Sequence, residues 1–423
     1  MGSLHKAQWV SDGSGTSRRQ RASGVYWWYL PDRLMDVEDQ LDTDVVADVV
    51  RAERALATCS ASPLTGTEGI ARLLMRSESV ASSHIEGLSI GARRLMRAEL
   101  QLAEPDNIRY DRNAATVLGN KRAMERAREL AVKAPEITVD MLQEIHANLC
   151  RATPIEQWGG VIRTIQNWVG GSASNPLSAD YVPPAPEEVP ALLDDLVAYM
   201  NRTDVSPVVQ AALCHSQFES IHPFVDGNGR VGRALIHVVL GRRGVATVSP
   251  PPVSLALATI KQDYFDALAQ MQNCTDSATR HLAVNDWVSC FSGAVVDACA
   301  DMERIAQEMQ DMRSGWEGRL GRVRAGSALA LMLDELQASP IFSVETMVRA
   351  TGRSKQAVSL ATNRLLETGI IRQTSQGKRS RVFEVPSVLE EFSMVERRLA
   401  SPSRDTSVEP PVRRVPDRPV PKG

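Results

Sequence analysis

Apolar residues recur every three or four positions along most of this 423-residue chain. Near the N-terminal end the period is carried by Val46, Val49, Val50, Ala52 and Leu56, as expected for one face of a helix. The two-residue alternation of half-buried strands is almost absent. Further helices are predicted within residues 70–75, 95–103, 138–150, 187–200, 207–221, 234–240, 264–271 and 287–309. The pattern therefore predicts an all-α protein.

Residues 163–184 interrupt this helical pattern. Two short apolar stretches flank a turn rich in Gly, Ser and Asn, and the second stretch ends in Pro183 and Pro184. We therefore predict a small β-hairpin within the helical core.

The pattern changes again after a Gly- and Arg-rich junction at residues 313–327. Three short helices are predicted beyond it, followed by two strands around a Gly-centred turn. The order helix, helix, helix, hairpin is that of a winged-helix domain. The predicted elements cover residues 328–336, 344–350, 354–367 and 372–385.

Changes in composition divide the chain into five segments. Residues 1–25 are rich in Gly, Ser and Arg and are expected to form a flexible arm, and residues 401–423 are rich in Pro and Arg and are expected to be disordered. Between them we expect a helical region over 26–125, a helical core over 126–312 and the winged-helix domain over 328–395.

Charge and cysteine content exclude several classes of protein. A formal net charge of -3 gives no general attraction to membranes or nucleic acids. The six cysteines contain no Cys-x-x-Cys pair, which favours reduced core thiols over disulfides or zinc ligands. We find no export signal and no run of about 18 apolar residues. A cytoplasmic protein that does not contact a membrane is expected.

The stretch HPFVDGNGRVGR, residues 222–233, concentrates glycines and reactive side chains. Gly227, Gly229 and Gly232 match the dinucleotide fingerprint, which requires a preceding strand and an acidic residue about twenty positions later. The preceding residues have helical spacing and no such acidic residue follows. The stretch is therefore not a dinucleotide-binding loop.

The same stretch is suited to binding phosphate groups. Gly227 and Gly229 can adopt positive φ and direct consecutive N–H groups inward, and a helix that begins near Arg230 would point its positive end at the same place. Arg230 and Arg233 are three residues apart on one helical face, from which both can reach phosphates.

His222 and Asp226 supply the other functions of a phosphate-transfer centre. Asp226 offers a hard oxygen ligand for Mg²⁺. Histidine is the side chain whose ordinary pKa lies near neutrality, so His222 can remove a proton from an incoming hydroxyl. The other histidines lack metal-ligand spacing and are assigned no role: His84, His146, His215, His237 and His281.

Residues 222–233 resemble the signature of the Fic family, His-Pro-Phe-x-Asp/Glu-Gly-Asn-Gly-Arg-x-x-Arg, at every defined position. The resemblance implies an all-helical core that transfers AMP from ATP to a Ser, Thr or Tyr hydroxyl of a target protein or of the enzyme itself. It also implies that His222 is the general base, that Asp226 holds Mg²⁺ and that Tyr264 lies beside the adenine. The residues implied to bind the ATP phosphates are Gly227, Asn228, Gly229, Arg230, Val231, Gly232 and Arg233.

The resemblance also gives the predicted hairpin a role. Residues 163–184 are similar in position to the family's flap, which aligns the target segment by main-chain pairing.

Residues 82–87, SSHIEG, are similar to the inhibitory motif of this family, Ser/Thr-x-x-x-Glu-Gly/Asn. Ser82, Glu86 and Gly87 occupy its defined positions. The resemblance implies that Glu86 pairs with Arg233 and so occupies the guanidinium that should receive the γ-phosphate. Taken alone, the six residues are also typical of a capped helix end.

The predicted C-terminal domain has a basic surface. Its third helix could enter a major groove while the GKRSR turn lies on phosphate, but docking of a protein by the same surface is left open. Only Glu367 is acidic between residues 352 and 383, where the basic residues are Arg353, Lys355, Arg364, Arg372, Lys378, Arg379 and Arg381.

Three functions therefore remain open. The first is an autoinhibited protein adenylyltransferase. The alternatives are a nucleotide-sensing winged-helix transcriptional regulator and an AMP-removing enzyme of the same fold, in which Glu86 could orient a water molecule. The sequence identifies neither the target protein nor a DNA site, and it leaves the oligomeric state, including a homodimer, open.

Overall fold

The structure is a computed structural model that describes residues 2–13, 16–37, 40–63, 68–103, 112–246, 250–374, 381–399 and 401. Its helices are α1 (Thr43–Ala61), α2 (Glu68–Ile85), α3 (Ala92–Ala103), α4 (Arg112–Lys133), α5 (Val139–Cys150), α6 (Val189–Met200), α7 (Pro207–Ile221), α8 (Asn228–Arg242), α9 (Val253–Thr259), α10 (Lys261–Met271), α11 (Ser277–Leu320), α12 (Ala328–Ala338), α13 (Val344–Thr351), α14 (Lys355–Glu367) and α15 (Pro386–Leu399). Its strands are β1 (Ser3–Trp9), β2 (Gly24–Leu30), β3 (Ile341–Ser343), β4 (Arg372–Gln373) and β5 (Val382–Glu384). The predicted predominance of helices is confirmed.

The chain forms two compact units that are interleaved in sequence. One unit contains Met1–Ala55, Arg122–Thr247 and Ile260–Val296, and the other contains Leu56–Lys121, Val248–Thr259 and Asp297–Gly423. The units therefore do not correspond one to one with the consecutive segments predicted from composition. None of the described helices is both long enough and apolar enough to cross a bilayer.

Helices α7 and α8 form the centre of the first unit. α7 begins at Pro207 because the Ser206 hydroxyl accepts a hydrogen bond from the Val209 N–H and proline is tolerated in the first turn. Every residue of α7 after Pro207 is buried. α8 packs closely against it at Gly232, where an added Cβ would overlap Glu219 Oε1 and lie 3.1 Å from His215 Nδ1. This glycine sets the distance between the two helices.

The N-terminal residues form a hairpin and not the flexible arm expected over residues 1–25. β1 pairs with β2 in antiparallel register, with Lys6 opposite Trp27. The side-chain amide of Asn175 donates to Arg19 O and Gln20 O, which ties the connecting turn to the first unit. Composition failed as a guide here because aromatic side chains in β2 favour a strand despite the Gly- and Ser-rich surroundings.

The hairpin predicted over residues 163–184 is present only as short antiparallel bridges. Val169 pairs with Tyr181 and Ser172 pairs with Asn175, but no longer ladder forms within these described residues. Gly170 and Gly171 both have positive φ, at 73° and 67°. The prolines near its end have no N–H to donate, so a regular ladder cannot extend through them.

Helix α11 is longer than the sequence predicted. It continues to Leu320, through the first part of the junction expected at residues 313–327. Trp316 and Leu320 are buried, and Arg313 forms an ion pair with Glu317 one turn later. These contacts outweigh the low helix propensity of the glycines in this stretch.

The last part of the second unit contains the predicted helices as α12, α13 and α14, together with a strand that the sequence did not predict. Its small sheet has the order β3, β5, β4, and all neighbouring strands are antiparallel. α13 begins with a capping box formed by Ser343 and Thr346 and ends at Gly352, whose φ is 63°. The wing residues 375–380 and the predicted disordered residues 402–423 lie outside the described part of the chain.

Candidate active site

The motif of residues 222–233 spans the turn between α7 and α8. His222 ends α7 with φ 49° and ψ 57°, and Gly227 precedes α8 with φ 83°. Both residues are in the left-handed region, which reverses the chain within a short loop. α8 begins at Asn228, two residues earlier than predicted. Gly229, Arg230, Val231, Gly232 and Arg233 therefore all lie in its first two turns.

The side chain of His222 is half-buried and is oriented by the end of its own helix. Its Nδ1 lies 3.3 Å from Glu219 O. Since a carbonyl can only accept a hydrogen bond, the neutral ring carries its proton on Nδ1 and its lone pair on Nε2. This tautomer is the one that can accept a proton through Nε2.

The loop between the two helices is closed by the amide of Asn228. Asn228 Oδ1 accepts from Phe224 N at 2.8 Å, and Asn228 Nδ2 donates to Phe224 O at 2.8 Å. Asn167 donates to the same carbonyl at 3.0 Å. The side chain of Asn228 therefore maintains the loop conformation.

Asp226 is the exposed acidic group of the loop. Its side chain is 58% exposed, and Oδ1 accepts from Gly227 N at 2.5 Å and lies 3.4 Å from Arg230 Nη2. In the part of the chain that the structure describes, no group of three or more His, Cys, Asp or Glu side chains is placed to hold a metal ion. A single accessible carboxylate nevertheless fits Mg²⁺, which commonly takes one or two protein oxygens and completes its shell with water and phosphate.

The two arginines of the motif are buried on the same helix. Arg230 is 5% exposed and Arg233 is 1% exposed.

The backbone of Gly227 passes so close to helix α5 that an added Cβ would lie 2.7 Å from Leu149 Cδ2. The glycine is thus required both by its positive φ and by this close approach.

His146, which was assigned no role from the sequence, lies beneath this loop and supports it. Its Nδ1 accepts from Gly160 N and its Nε2 donates to Asp226 O, both at 3.0 Å. Its ring stacks on Phe224 with the centroids 3.8 Å apart. Burial lowers the pKa of His146 to about 4, so the ring is neutral at physiological pH. No spacing rule could have found it because its partners are backbone groups distant in sequence.

Tyr264, predicted to lie beside adenine, is buried in the first unit. It is 1% exposed, and its hydroxyl lies 2.8 Å from His215 Nε2. Trp287 packs beside it with the ring centroids 6.0 Å apart. The neighbouring Phe265 is 39% exposed.

The predicted inhibitory motif lies at the end of α2, in the second unit. Ser82 is buried, Glu86 is exposed, and Gly87 has φ 79° while its N–H donates to His84 O. The helix is fixed from within its unit by the buried carboxylate of Glu78, which accepts from the N–H and hydroxyl of Ser254 at 2.8 and 2.5 Å.

Comparisons with known proteins agree with the motifs. The model of the Fic/DOC family matches residues 136–240, and that of the Fic/DOC family N-terminal region matches residues 46–129. Protein adenylyltransferase Fic of Drosophila erecta is 34% identical over 139 residues, which cover 32% of this chain and 26% of the relative. Protein adenylyltransferase fic-1 of Caenorhabditis elegans is 34% identical over 143 residues, which cover 33% and 25%. The chain thus spans about a quarter of the length of these relatives.

Among solved structures, a Fic family protein from Desulfovibrio desulfuricans G20 superposes with a TM-score of 0.48 at 19% identity. The superposition covers 82% of this chain and 97% of that protein.

The loop geometry predicts that Asn228 is needed for stability. Asn228→Ala leaves the buried Phe224 N–H without its acceptor, so the free energy of unfolding should fall by about 1 to 3 kcal/mol in urea titrations. Asn228→Asp keeps the acceptor for Phe224 N but places a carboxylate oxygen against Phe224 O. This variant should therefore be no more stable than Asn228→Ala. Asn273→Ala is a matched control, because the Asn273 amide bonds Ala269 O at an exposed position. Equal losses for Asn228→Ala and this control would contradict the assigned role.

Proposed function

Because residues 46–129 and 136–240 match models of the Fic/DOC family, we propose that the chain is a protein adenylyltransferase. It transfers AMP from ATP to a side-chain hydroxyl of a target protein, or of itself, and pyrophosphate leaves. The observation that carries the proposal is the complete motif of residues 222–233, held in one tightly bonded loop between two buried helices. The target hydroxyl is that of a Ser, Thr or Tyr residue.

His222 is the general base of this reaction. Its Nε2 takes the proton of the target hydroxyl as the oxygen attacks the α-phosphorus, and the bond from that phosphorus to the pyrophosphate oxygen breaks. The contact between Nδ1 and Glu219 O stabilises the imidazolium that forms. The backbone carbonyl thus acts as the orienting group of the base.

The start of α8 binds the phosphates of ATP. The first N–H groups of a helix have no acceptor within it and carry the positive end of the dipole. Gly227 and Gly229 present this backbone to the α-phosphate, and Arg230 and Arg233 bind the β- and γ-phosphates. Burial of both guanidinium groups lowers the local dielectric and strengthens their attraction for phosphate.

Asp226 is the residue that would hold Mg²⁺. The ion would neutralise charge on the phosphate groups. The chain itself orients the carboxylate through the N–H of Gly227, which bonds Oδ1.

The role of His222 predicts a loss of transfer without a loss of ATP binding. His222→Ala should lower the rate of label incorporation from α-labelled ATP roughly 10²- to 10⁴-fold, because the hydroxyl must then lose its proton unaided. ATP affinity, measured by calorimetry, should stay within a few-fold since the glycines and arginines are intact. Near-normal labelling by purified His222→Ala would refute the assignment.

We further propose that the protein is autoinhibited through Glu86. The proposal is supported by the match of Ser82, Glu86 and Gly87 to the inhibitory motif and by the exposure of the Glu86 side chain at the end of α2. A carboxylate paired with Arg233 would compete with the γ-phosphate and hold ATP in an unproductive pose.

Removal of this carboxylate should activate the enzyme. Glu86→Gly is expected to raise self-labelling about ten-fold or more, as estimated for the loss of a charge-assisted pair. Glu86→Gln should act in the same direction, whereas Arg233→Ala should remain inactive with or without Glu86. A folded Glu86→Gly protein no more active than the wild type would contradict inhibition.

If Glu86 instead orients water for AMP removal, the Glu86→Gly variant should lose the ability to release AMP from a labelled protein.

The C-terminal elements support a second proposal, a winged helix that binds duplex DNA. α14 exposes Lys355, Gln356 and Asn363 on one side. An apolar residue shares the exposed side of this helix, since Leu360 is 65% exposed, whereas Thr362 is buried. Several basic groups also have partners within the unit: Lys355 with Glu345, Arg353 with Gly326 O, Arg364 with Leu320 O and Arg372 with Glu384. Lys378 and Arg379 lie outside the described residues.

DNA binding would be salt-sensitive and would depend on Lys355. In fluorescence anisotropy with random duplexes, affinity should fall as salt rises, and Lys355→Glu should reduce the slope of the logarithmic plot by about 1 or more. Lys261→Glu, on α10, is the charge-matched control. Absence of binding at low salt would favour protein docking by this domain, including docking to a second copy of the chain.

A further inference from the structure

Arg163 is the buried first residue of the flap, the segment of residues 163–184. Its side chain is almost completely inaccessible, at 2% exposure. The guanidinium bonds four backbone carbonyls, and the arginine is not part of the catalytic motif. The bonds run from Nε to His222 O at 2.9 Å, from Nη1 to Ile165 O at 3.3 Å, and from Nη2 to Pro184 O at 2.6 Å and Ile221 O at 3.3 Å.

Two of these carbonyls belong to the end of helix α7. The last carbonyls of a helix lack N–H donors within it and carry the negative end of its dipole, so a cation that donates to them stabilises the helix end. Here the helix ends in His222, whose left-handed backbone is unfavourable for a residue with a side chain. Arg163 therefore stabilises the conformation that directs the imidazole into the site.

The other two carbonyls belong to the two ends of the flap. Ile165 lies two residues after the start of the flap and Pro184 is its last residue, and one planar guanidinium donates to both carbonyls. The main-chain N–H of Arg163 also donates to Pro223 O at 2.9 Å. The ends of the flap are thus tied directly to the backbone of the catalytic base.

We propose that Arg163 is a positioning residue that sets His222 against the target segment aligned by the flap. The inference rests on the proposed adenylyltransfer. A misplacement of about 1 Å between base and nucleophile can cost roughly 100-fold in rate. The base, His222, is at the end of α7, whereas the target hydroxyl is aligned by the flap, so contacts between α7 and the flap must set the distance between them. Burial lowers the pKa of Arg163 only to about 10, so the group keeps its charge at neutral pH.

Asn167 supports the same geometry independently. Its Nδ2 donates to His222 O at 3.4 Å and Phe224 O at 3.0 Å. It is only half-buried, so its removal disturbs the core less than removal of Arg163. It provides a second variant that acts on the same carbonyl of His222.

The test uses the full chain in a Glu86→Gly background. Arg163→Lys keeps the charge but cannot span four carbonyls, and Asn167→Ala removes the weaker link. Arg242→Gln is the matched control: this arginine donates to Ala134 O and Pro135 O at the far end of α8, about 20 Å from Asn228 along the helix. Each variant is assayed for self-labelling at saturating ATP, for ATP affinity and for amide hydrogen exchange.

We expect turnover to fall roughly 10- to 100-fold in Arg163→Lys and roughly 3- to 10-fold in Asn167→Ala, with ATP affinity within two-fold of the parent. Exchange should accelerate together in residues 163–184 and 219–227 of Arg163→Lys, and in neither segment of the control. Turnover within two-fold of the parent, or an equal fall in the control, would overturn the inference. If the Glu86→Gly parent transfers no label, the proposed function fails, and unchanged exchange in both segments would separately refute the link made by Arg163.

Discussion

The site depends on how the chain reverses between α7 and α8. The helices must lie close enough for Gly232 to contact α7, and the turn between them is accomplished by left-handed residues at both ends, His222 and Gly227. Glycine adopts this conformation without penalty, whereas histidine does so at a cost of about 1 kcal/mol. That cost is offset by hydrogen bonds to the carbonyl of the same residue. The conformation of the catalytic base is therefore set by groups outside the motif.

These supporting groups share one property: they bond backbone atoms and not the reacting side chains. His146 holds Asp226 O, Asn228 holds both polar groups of Phe224, and Arg163 holds His222 O. Such bonds fix the path of the loop while leaving the imidazole and the carboxylate available to ligands. Because α7 is buried along its whole length, the loop has little freedom to move as a unit.

The sequence predicted the helices and the motif because both are local patterns. The 3.6-residue period identified α5, α6 and α7, and the glycines and charges of residues 222–233 indicated a phosphate-binding loop. Local sequence patterns could not reveal His146 or Arg163, whose partners are carbonyls 80 and 59 residues away along the chain. Composition concealed the hairpin of β1 and β2, since the tie from Asn175 to the connecting turn is a tertiary contact. Tyr264 was placed beside adenine by its distance along the chain, which carries no information about its burial.

A match to a sequence signature therefore combines two kinds of requirement. Within residues 222–233, Gly227, Asn228 and Gly232 are demanded by backbone conformation, loop closure and helix packing. His222 and Asp226 contribute groups that can act on a ligand, and their side chains take no part in the two bonds by which Asn228 closes the loop. Loss of activity on changing the first group reports on folding, and only the second group tests the chemistry. An unrelated protein could retain the loop with other side chains at positions 222 and 226, so the conjunction of both sets within one turn gives the motif its functional meaning.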